Sequence, residues 1–94
     1  MSLVVFLKQG CETCKLVAPI LESFLKKNSA EILCQDGSSF YQGLEVKEDL
    51  GLRRSWEASI EIVPTLISFG EDGRELDRIE GWNSEEWAEF LQIE

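Results

Sequence analysis

Apolar positions along the chain fall into runs that predict a short α/β domain. Leu3 to Lys8 carries Leu3, Val4, Val5, Phe6 and Leu7 without interruption. A strand buried on both faces reads this way, whereas a half-exposed one alternates apolar with polar residues. Gln9-Gly10 ends it. From Cys11 to about Lys27, Leu16, Val17, Ile20, Leu21 and Phe24 recur at three- and four-residue steps, which predicts a helix with one apolar face. Lys26-Lys27 falls in its expected last turn, where cations suit the helix dipole, and Asn28-Ser29 ends it. Pro19 lies inside this helix, removes one backbone donor and predicts a kink.

Ala30 to Gln35 reads as a second strand and Asp36-Gly37-Ser38-Ser39 as a turn. Phe40 to Val46 shows no clear period. A short helix is expected over Asp49–Ala58, with Leu52 and Trp56 paired at i,i+4. Thr65 to Gly70 reads as a strand, Glu71-Asp72-Gly73 as a hairpin turn, and Arg74 to Glu80 as its antiparallel return, with Leu76 and Ile79 apolar. After a break at Gly81, Asn83 with Glu86 three residues on forms a helix-start signature. The last helix carries Trp87, Ala88, Phe90 and Leu91 on its packing face and is expected to end near Ile93. The order is β, α, β, short α, β, β, α. It predicts a parallel crossover followed by an antiparallel hairpin, hence a four-stranded mixed sheet with helices on both faces.

The 94 residues suit a single domain, 1–94, with one core. Net charge is −9, from 18 acidic and 9 basic residues, which argues against nucleic acid and against anionic membrane surfaces as partners. No apolar run approaches the roughly 20 residues of a membrane span. The N-terminus lacks the pattern of a signal peptide and runs straight into strand-like sequence. An excised domain of a longer protein stays open. Three cysteines and no histidine make an odd, sparse set, unlike a secreted disulfide scaffold. A cytoplasmic chain with a functional cysteine pair is the expectation.

Cys11-Glu12-Thr13-Cys14 is that pair, placed where a strand gives way to a helix. The attacking species in thiol chemistry is the thiolate, and unpaired N–H groups at a helix start stabilise it. Cys11 is the candidate nucleophile. Cys14, one turn along, can resolve a mixed disulfide by bonding to Cys11. Glu12 should oppose negative charge on Cys11, with Lys8 and Lys15 working against it. A zinc site would need a fourth ligand, and only Cys34 and carboxylates remain, so no metal is expected. Cys34 reads as a buried structural thiol. Trp56, Trp82 and Trp87 read chiefly as packing residues.

Beyond the cysteine pair, Val4-Val5-Phe6-Leu7, Cys14-Lys15 followed by Val17-Ala18-Pro19-Ile20-Leu21, Val63-Pro64-Thr65-Leu66, Asp72-Gly73-Arg74 and Glu80-Gly81-Trp82 resemble the thioredoxin family. The likeness covers most of the chain except about 36–47. It implies a thioredoxin-like three-layer α/β/α sandwich. It further implies that Pro64 is a cis-proline facing the cysteines and that Val63 offers its backbone to an extended substrate. By the same likeness Pro19 matches the proline of the active-site helix, and Gly81, with Trp82 beside it, lines the substrate groove. Lys15, Glu12 and Thr13 would support the pair. The implied partners are protein disulfides and a thiol or flavoprotein reductase as electron donor, for a monomer needing no cofactor beyond its own dithiol. The chain departs from the family at Gly10 (commonly tryptophan), at Glu12-Thr13 (commonly Gly-Pro), and at Val5, where many members bury an acid that helps the resolving thiol lose its proton. It also lacks the N-terminal strand and helix of full-length members, and the stretch from Cys11 to Pro64 is lengthened within 36–47.

The expected function is thiol–disulfide exchange on protein disulfides, in the reducing direction. The alternative is a non-enzymatic module that docks a partner near Val63-Pro64 and uses the dithiol to sense redox state.

Overall fold

The computed structural model describes residues 2–37 and 44–92. Strand β1 (Ser2–Leu7) is followed by helix α1 (Glu12–Leu25) and strand β2 (Glu31–Cys34). A two-residue strand β3 (Lys47–Glu48) leads through a 3₁₀ turn (Leu50–Leu52) into helix α2 (Arg53–Glu57). Strands β4 (Thr65–Phe69) and β5 (Glu75–Glu80) and helix α3 (Ser84–Leu91) complete the chain. The expectations at Ser38-Ser39, over 40–43 and at Ile93 fall outside the described residues.

The sheet has five strands in the order β3-β2-β1-β4-β5. β1 runs parallel to β2, with Val5 opposite Ile32, and antiparallel to β4, with Val5 opposite Leu66. β1 is therefore central, which is why its apolar run is unbroken: Val4, Val5, Phe6 and Leu7 are all buried. Its odd positions Leu3, Val5 and Leu7 pack against Cys14, Val17, Leu21 and Phe24 of α1 and Trp87 and Leu91 of α3. Its even positions Val4 and Phe6 meet Leu33, Ile67 and the segment after α2 at Ala58 and Ile60. The result is an α/β domain of three layers, with α1 and α3 on one face of the sheet and α2 with its return segment on the other. No helix among the described residues is long and apolar enough to cross a membrane.

Three local expectations are corrected. The sheet gains β3, held by backbone pairing of Leu33 with Lys47 and Cys34 with Glu48. Both its residues are charged and exposed, so no hydrophobic period announces it. The helix expected over Asp49–Ala58 is reduced to α2, because Gly51 (φ 66°) and Leu52 (φ 56°) both take left-handed backbone. Leu52 thus lies off the helix and Trp56 is 82% exposed, so neither packs as expected. What anchors α2 is polar: the buried Asp49 carboxylate accepts the N–H groups of Arg54 and Ser55, each at 2.8 Å, and the Ser55 hydroxyl at 2.6 Å. Leu76 is exposed because the β4–β5 register slips there, with Ser68 opposite Asp77 and Phe69 opposite Glu75, leaving Leu76 as the extra residue of a bulge. Finally, α1 stops at Leu25, so Lys26 and Lys27 lie just beyond it rather than in its last turn, and the Asn28 side chain donates to the Phe24 carbonyl at 3.2 Å.

Candidate active site at the Cys11–Cys14 turn

The topology brings four chain segments to one end of the sheet. β1 and β2 finish there, β4 starts there because it runs antiparallel, and β5 finishes there. The end of β1 turns through Lys8, Gln9 and Gly10, and the Cys11 N–H closes that turn onto the Lys8 carbonyl at 3.2 Å. Cys11 keeps extended backbone (φ −98°, ψ 114°), and α1 begins with the next residue. Its Sγ then accepts the Cys14 N–H at 3.2 Å, the task that a hydroxyl or carboxylate oxygen performs at most helix starts. The Cys11 thiol also lies 3.8 Å from the Val63 carbonyl, to which it donates. Cys11 is half-buried, while Glu12, Thr13 and Lys15 are exposed around it. Pro19 lies inside α1 on its exposed side.

Cys14 differs in every respect that matters to reactivity. It is fully buried among Leu7, Val17 and Leu21. Burial, reinforced by the contact with Cys11, pushes its thiol pKa from an ordinary 9.0 up to about 12, and a backbone hydrogen bond from Lys8 opposes this only in part. Val5 is also fully buried on the face of the sheet that carries Cys14, so this position supplies no carboxylate to take the proton.

The loop facing the pair is built by Ile62–Thr65. The Val63–Pro64 peptide is cis. The buried Thr65 hydroxyl donates to the Ile62 carbonyl at 2.6 Å, fastening the turn from behind. The Pro64 carbonyl accepts the Gly81 N–H at 2.8 Å, which ties this loop to the end of β5. Gly81 has φ +82°, and a Cβ there would meet nothing within 4 Å, so backbone conformation rather than space requires glycine. The Gly81 carbonyl in turn accepts the indole N–H of the fully buried Trp87 at 2.9 Å. Trp82 is half-buried, its ring 5.6 Å from that of Trp87 and tilted by 52°.

Sequence reasoning assigned no role to two residues of this end of the sheet. One is Thr65, readable only as part of a motif. The other is Asp36, whose position after β2 suggested nothing beyond a turn. Its carboxylate accepts the Gln9 N–H at 2.6 Å and the Gly10 N–H at 3.4 Å, and the buried Cys34 thiol donates to it at 3.1 Å. The Gln9 hydrogen bond first, and those of Cys34 and Gly10 after it, hold the Asp36 carboxyl below its usual range, and burial pushes the Cys34 thiol up. Among the described residues no three histidine, cysteine or acidic side chains converge as metal ligands. A depression of about 1000 Å³ lies elsewhere among the described residues, bordered by Ser2, Val4, Phe6, Ala30, Arg54 and Phe69, and contains neither cysteine of the pair.

No protein-family model matches the chain, and no curated protein matches its sequence. Solved structures do match. StoA from Bacillus subtilis is similar with a TM-score of 0.72 and 17% identity, over 97% of this chain and 81% of that one. The exposed lipoprotein thioredoxin Etrx1 of Streptococcus pneumoniae is similar with a TM-score of 0.78 and 14% identity, over 97% and 82%. The reduced N-terminal domain of PilB from N. meningitidis is similar with a TM-score of 0.72 and 17% identity, over 97% and 78%. Strand order, helix placement and these likenesses agree: the chain has the thioredoxin-like fold, with its cysteine pair at the start of the first helix.

Proposed function

We propose that this protein is a thiol–disulfide oxidoreductase that reduces protein disulfides through Cys11 and Cys14. The observation that carries the proposal is the setting of Cys11. Its half-open sulfur sits at a helix start, accepts the Cys14 N–H at 3.2 Å and faces the Val63 carbonyl across 52 residues of sequence. In the forward direction the Cys11 thiolate attacks one sulfur of a substrate disulfide. The substrate S–S bond breaks, a Cys11–substrate disulfide forms, and the other substrate sulfur leaves as a thiolate that takes up a proton. Cys14, deprotonated, then attacks Cys11 Sγ. The Cys11–Cys14 disulfide forms and the second substrate thiol departs, so the substrate gains two electrons and the protein loses two. A thiol or flavoprotein reductase would return them. Val63, Pro64, Gly81 and Trp82 border the site where an extended substrate would lie, with Glu12, Thr13 and Lys15 around the nucleophile. In this reading the domain acts as a cytoplasmic monomer without a bound cofactor.

A second reading, the same dithiol as a slow redox sensor on a docking module, is favoured by one observation: the sealed Cys14, with Val5 in place of an acid. A redox titration in glutathione and dithiol buffers, read by alkylation and mass shift, tests the first proposal. A potential near about −270 mV, that of thioredoxin, supports a reductase. Turnover of a model protein disulfide should vanish in Cys11→Ser. Failure to form a Cys11–Cys14 disulfide at all would sink the oxidoreductase reading, and partner binding that survives loss of both thiols would favour the module.

A further inference from the structure

The turn that presents Cys11 is held in part from another loop. Gly10 is exposed, and a Cβ built on it would touch nothing within 4 Å, so side-chain packing does not fix its backbone. Among the described residues, the backbone bond closing the turn is that of the Cys11 N–H to the Lys8 carbonyl. The N–H groups of Gln9 and Gly10 point instead to a single carboxylate, that of Asp36, with Oδ1 taking Gln9 at 2.6 Å and Oδ2 taking Gly10 at 3.4 Å. Asp36 is itself secured. The preceding Gln35 N–H extends the β1–β2 pairing onto the Leu7 carbonyl at 2.9 Å, and the buried Cys34 thiol donates to Asp36 Oδ1 at 3.1 Å. The following residue, Gly37, has φ +140°, and a Cβ there would come within 3.1 Å of the Gln9 side chain, so the two loops lie directly against each other.

We infer that Asp36 is a positioning residue of the redox site: through Gln9 and Gly10 it fixes the backbone from which Cys11 meets both the Cys14 N–H and the Val63 carbonyl. The inference rests on the reading of Cys11 as the nucleophile. Asp36 works through geometry rather than through its charge, since its negative carboxylate would by itself oppose a thiolate at Cys11. Cys34 serves the same device, as the donor that holds one carboxylate oxygen in place.

The test compares Asp36→Ala, Asp36→Asn and wild type. Asparagine keeps one oxygen for Gln9 and Cys34 but loses the charge and the second acceptor. Positioning predicts that Asp36→Ala shifts the equilibrium constant of the Cys11–Cys14 disulfide with glutathione by about tenfold or more, about 30 mV for this two-electron couple. The rate of Cys11 alkylation should change in parallel, and Asp36→Asn should restore most of both. An electrostatic role would make the two variants equal, and that result overturns the inference, as does an Asp36→Ala protein within about twofold of wild type on both readouts. Should Asp36→Ala fail to fold, amide exchange in the wild type decides. Protected Gln9 and Gly10 amides that lose protection in Asp36→Asn at Gly10 alone support the clamp, and amides exchanging at free-peptide rates overturn it. A wild type unable to close its disulfide would end the oxidoreductase reading. The clamp would still be read, independently, from alkylation and exchange.

Discussion

In the proposed exchange, the sealed position of Cys14 should slow the second chemical step, and the size of the effect can be worked out. At about pH 7 a thiol of pKa about 12 is ionised in roughly 10⁻⁵ of molecules, against roughly 10⁻² for one at 9.0, a deficit of about a thousandfold. A more basic thiolate is also more nucleophilic, and with a Brønsted coefficient of about 0.4–0.5 those three units return about twentyfold. The net expectation is a resolving step roughly 50-fold slower than an unburied thiol in the same place would give. Once Cys11 is tied up in a mixed disulfide its share of the shift falls while burial, the larger cause, stays, so roughly 50-fold is an upper bound. An aromatic disulfide reagent separates the steps: attack by Cys11 releases one coloured thiolate, and attack by Cys14 on the mixed disulfide releases the second. Stopped-flow absorbance should show the second phase accelerating about tenfold per pH unit from about pH 6 to about pH 10 with no plateau, because the thiolate fraction keeps rising below the pKa. A plateau at or below about pH 9 would refute the reasoning, since it would mean that Cys14 ionises like an ordinary exposed thiol.

Two further outcomes test the frame around the site. Asp49→Ala strips three hydrogen bonds from the start of α2 and leaves buried donors at Ser55, and should cost about 2–4 kcal/mol in urea denaturation, with Asp49→Asn losing less. Burial raises the Asp49 carboxyl, yet the Ser55 hydroxyl and the N–H groups of Arg54 and Ser55 outweigh it and hold the pKa low. A depressed folded pKa means that this stability is present above the unfolded value of about 4 and drains away as pH falls below it, so the gap between wild type and Asp49→Asn should close in acid. Trp87→Phe keeps most of the buried ring volume but orphans the Gly81 carbonyl. It should cost about 1–3 kcal/mol and, by loosening the Gly81 link to Pro64, raise KM for a protein disulfide more than it lowers kcat.

How legible each part was in the sequence follows from where its energy comes from. β1, α1 and α3 are held by apolar burial, which leaves a period in the chain. The Leu3–Leu7 run, the Val17–Leu21–Phe24 stripe and the buried Trp87 and Leu91 stand where that period predicts, although Leu16, expected on the same face of α1, is exposed. The start of α3 was equally readable, because a cap is a local signal: the Asn83 side chain accepts the Glu86 N–H at 3.0 Å. β3 and the true start of α2 were not readable, because backbone pairing and the Asp49–Ser55 bonds fix them, and neither imposes an apolar pattern. Asp36 was invisible because its partners are backbone amides 26 and 27 residues away, and a main-chain donor carries no residue type.

The same division sorts the chemistry. The features that point to a dithiol site are side-chain choices: two cysteines a helical turn apart, a proline in the loop that meets Cys11 through Val63, and a glycine tied to that loop. The features that set its rate are matters of placement. Cys11 is open to a substrate and carries two contacts to its sulfur, whereas Cys14 is sealed beneath it against an apolar β1. Attack needs access and release needs a proton removed, so this arrangement favours forming a mixed disulfide over resolving it. A long-lived mixed disulfide is what a slow reductase would show, whereas the docking module would hold its partner near Val63-Pro64 without a covalent bond to Cys11. The pH dependence of release therefore separates them better than any rate of attack. A reductase must still let Cys14 displace each substrate, faster as the pH rises, whereas a docking module would hold its partner with no dependence on Cys14 ionisation.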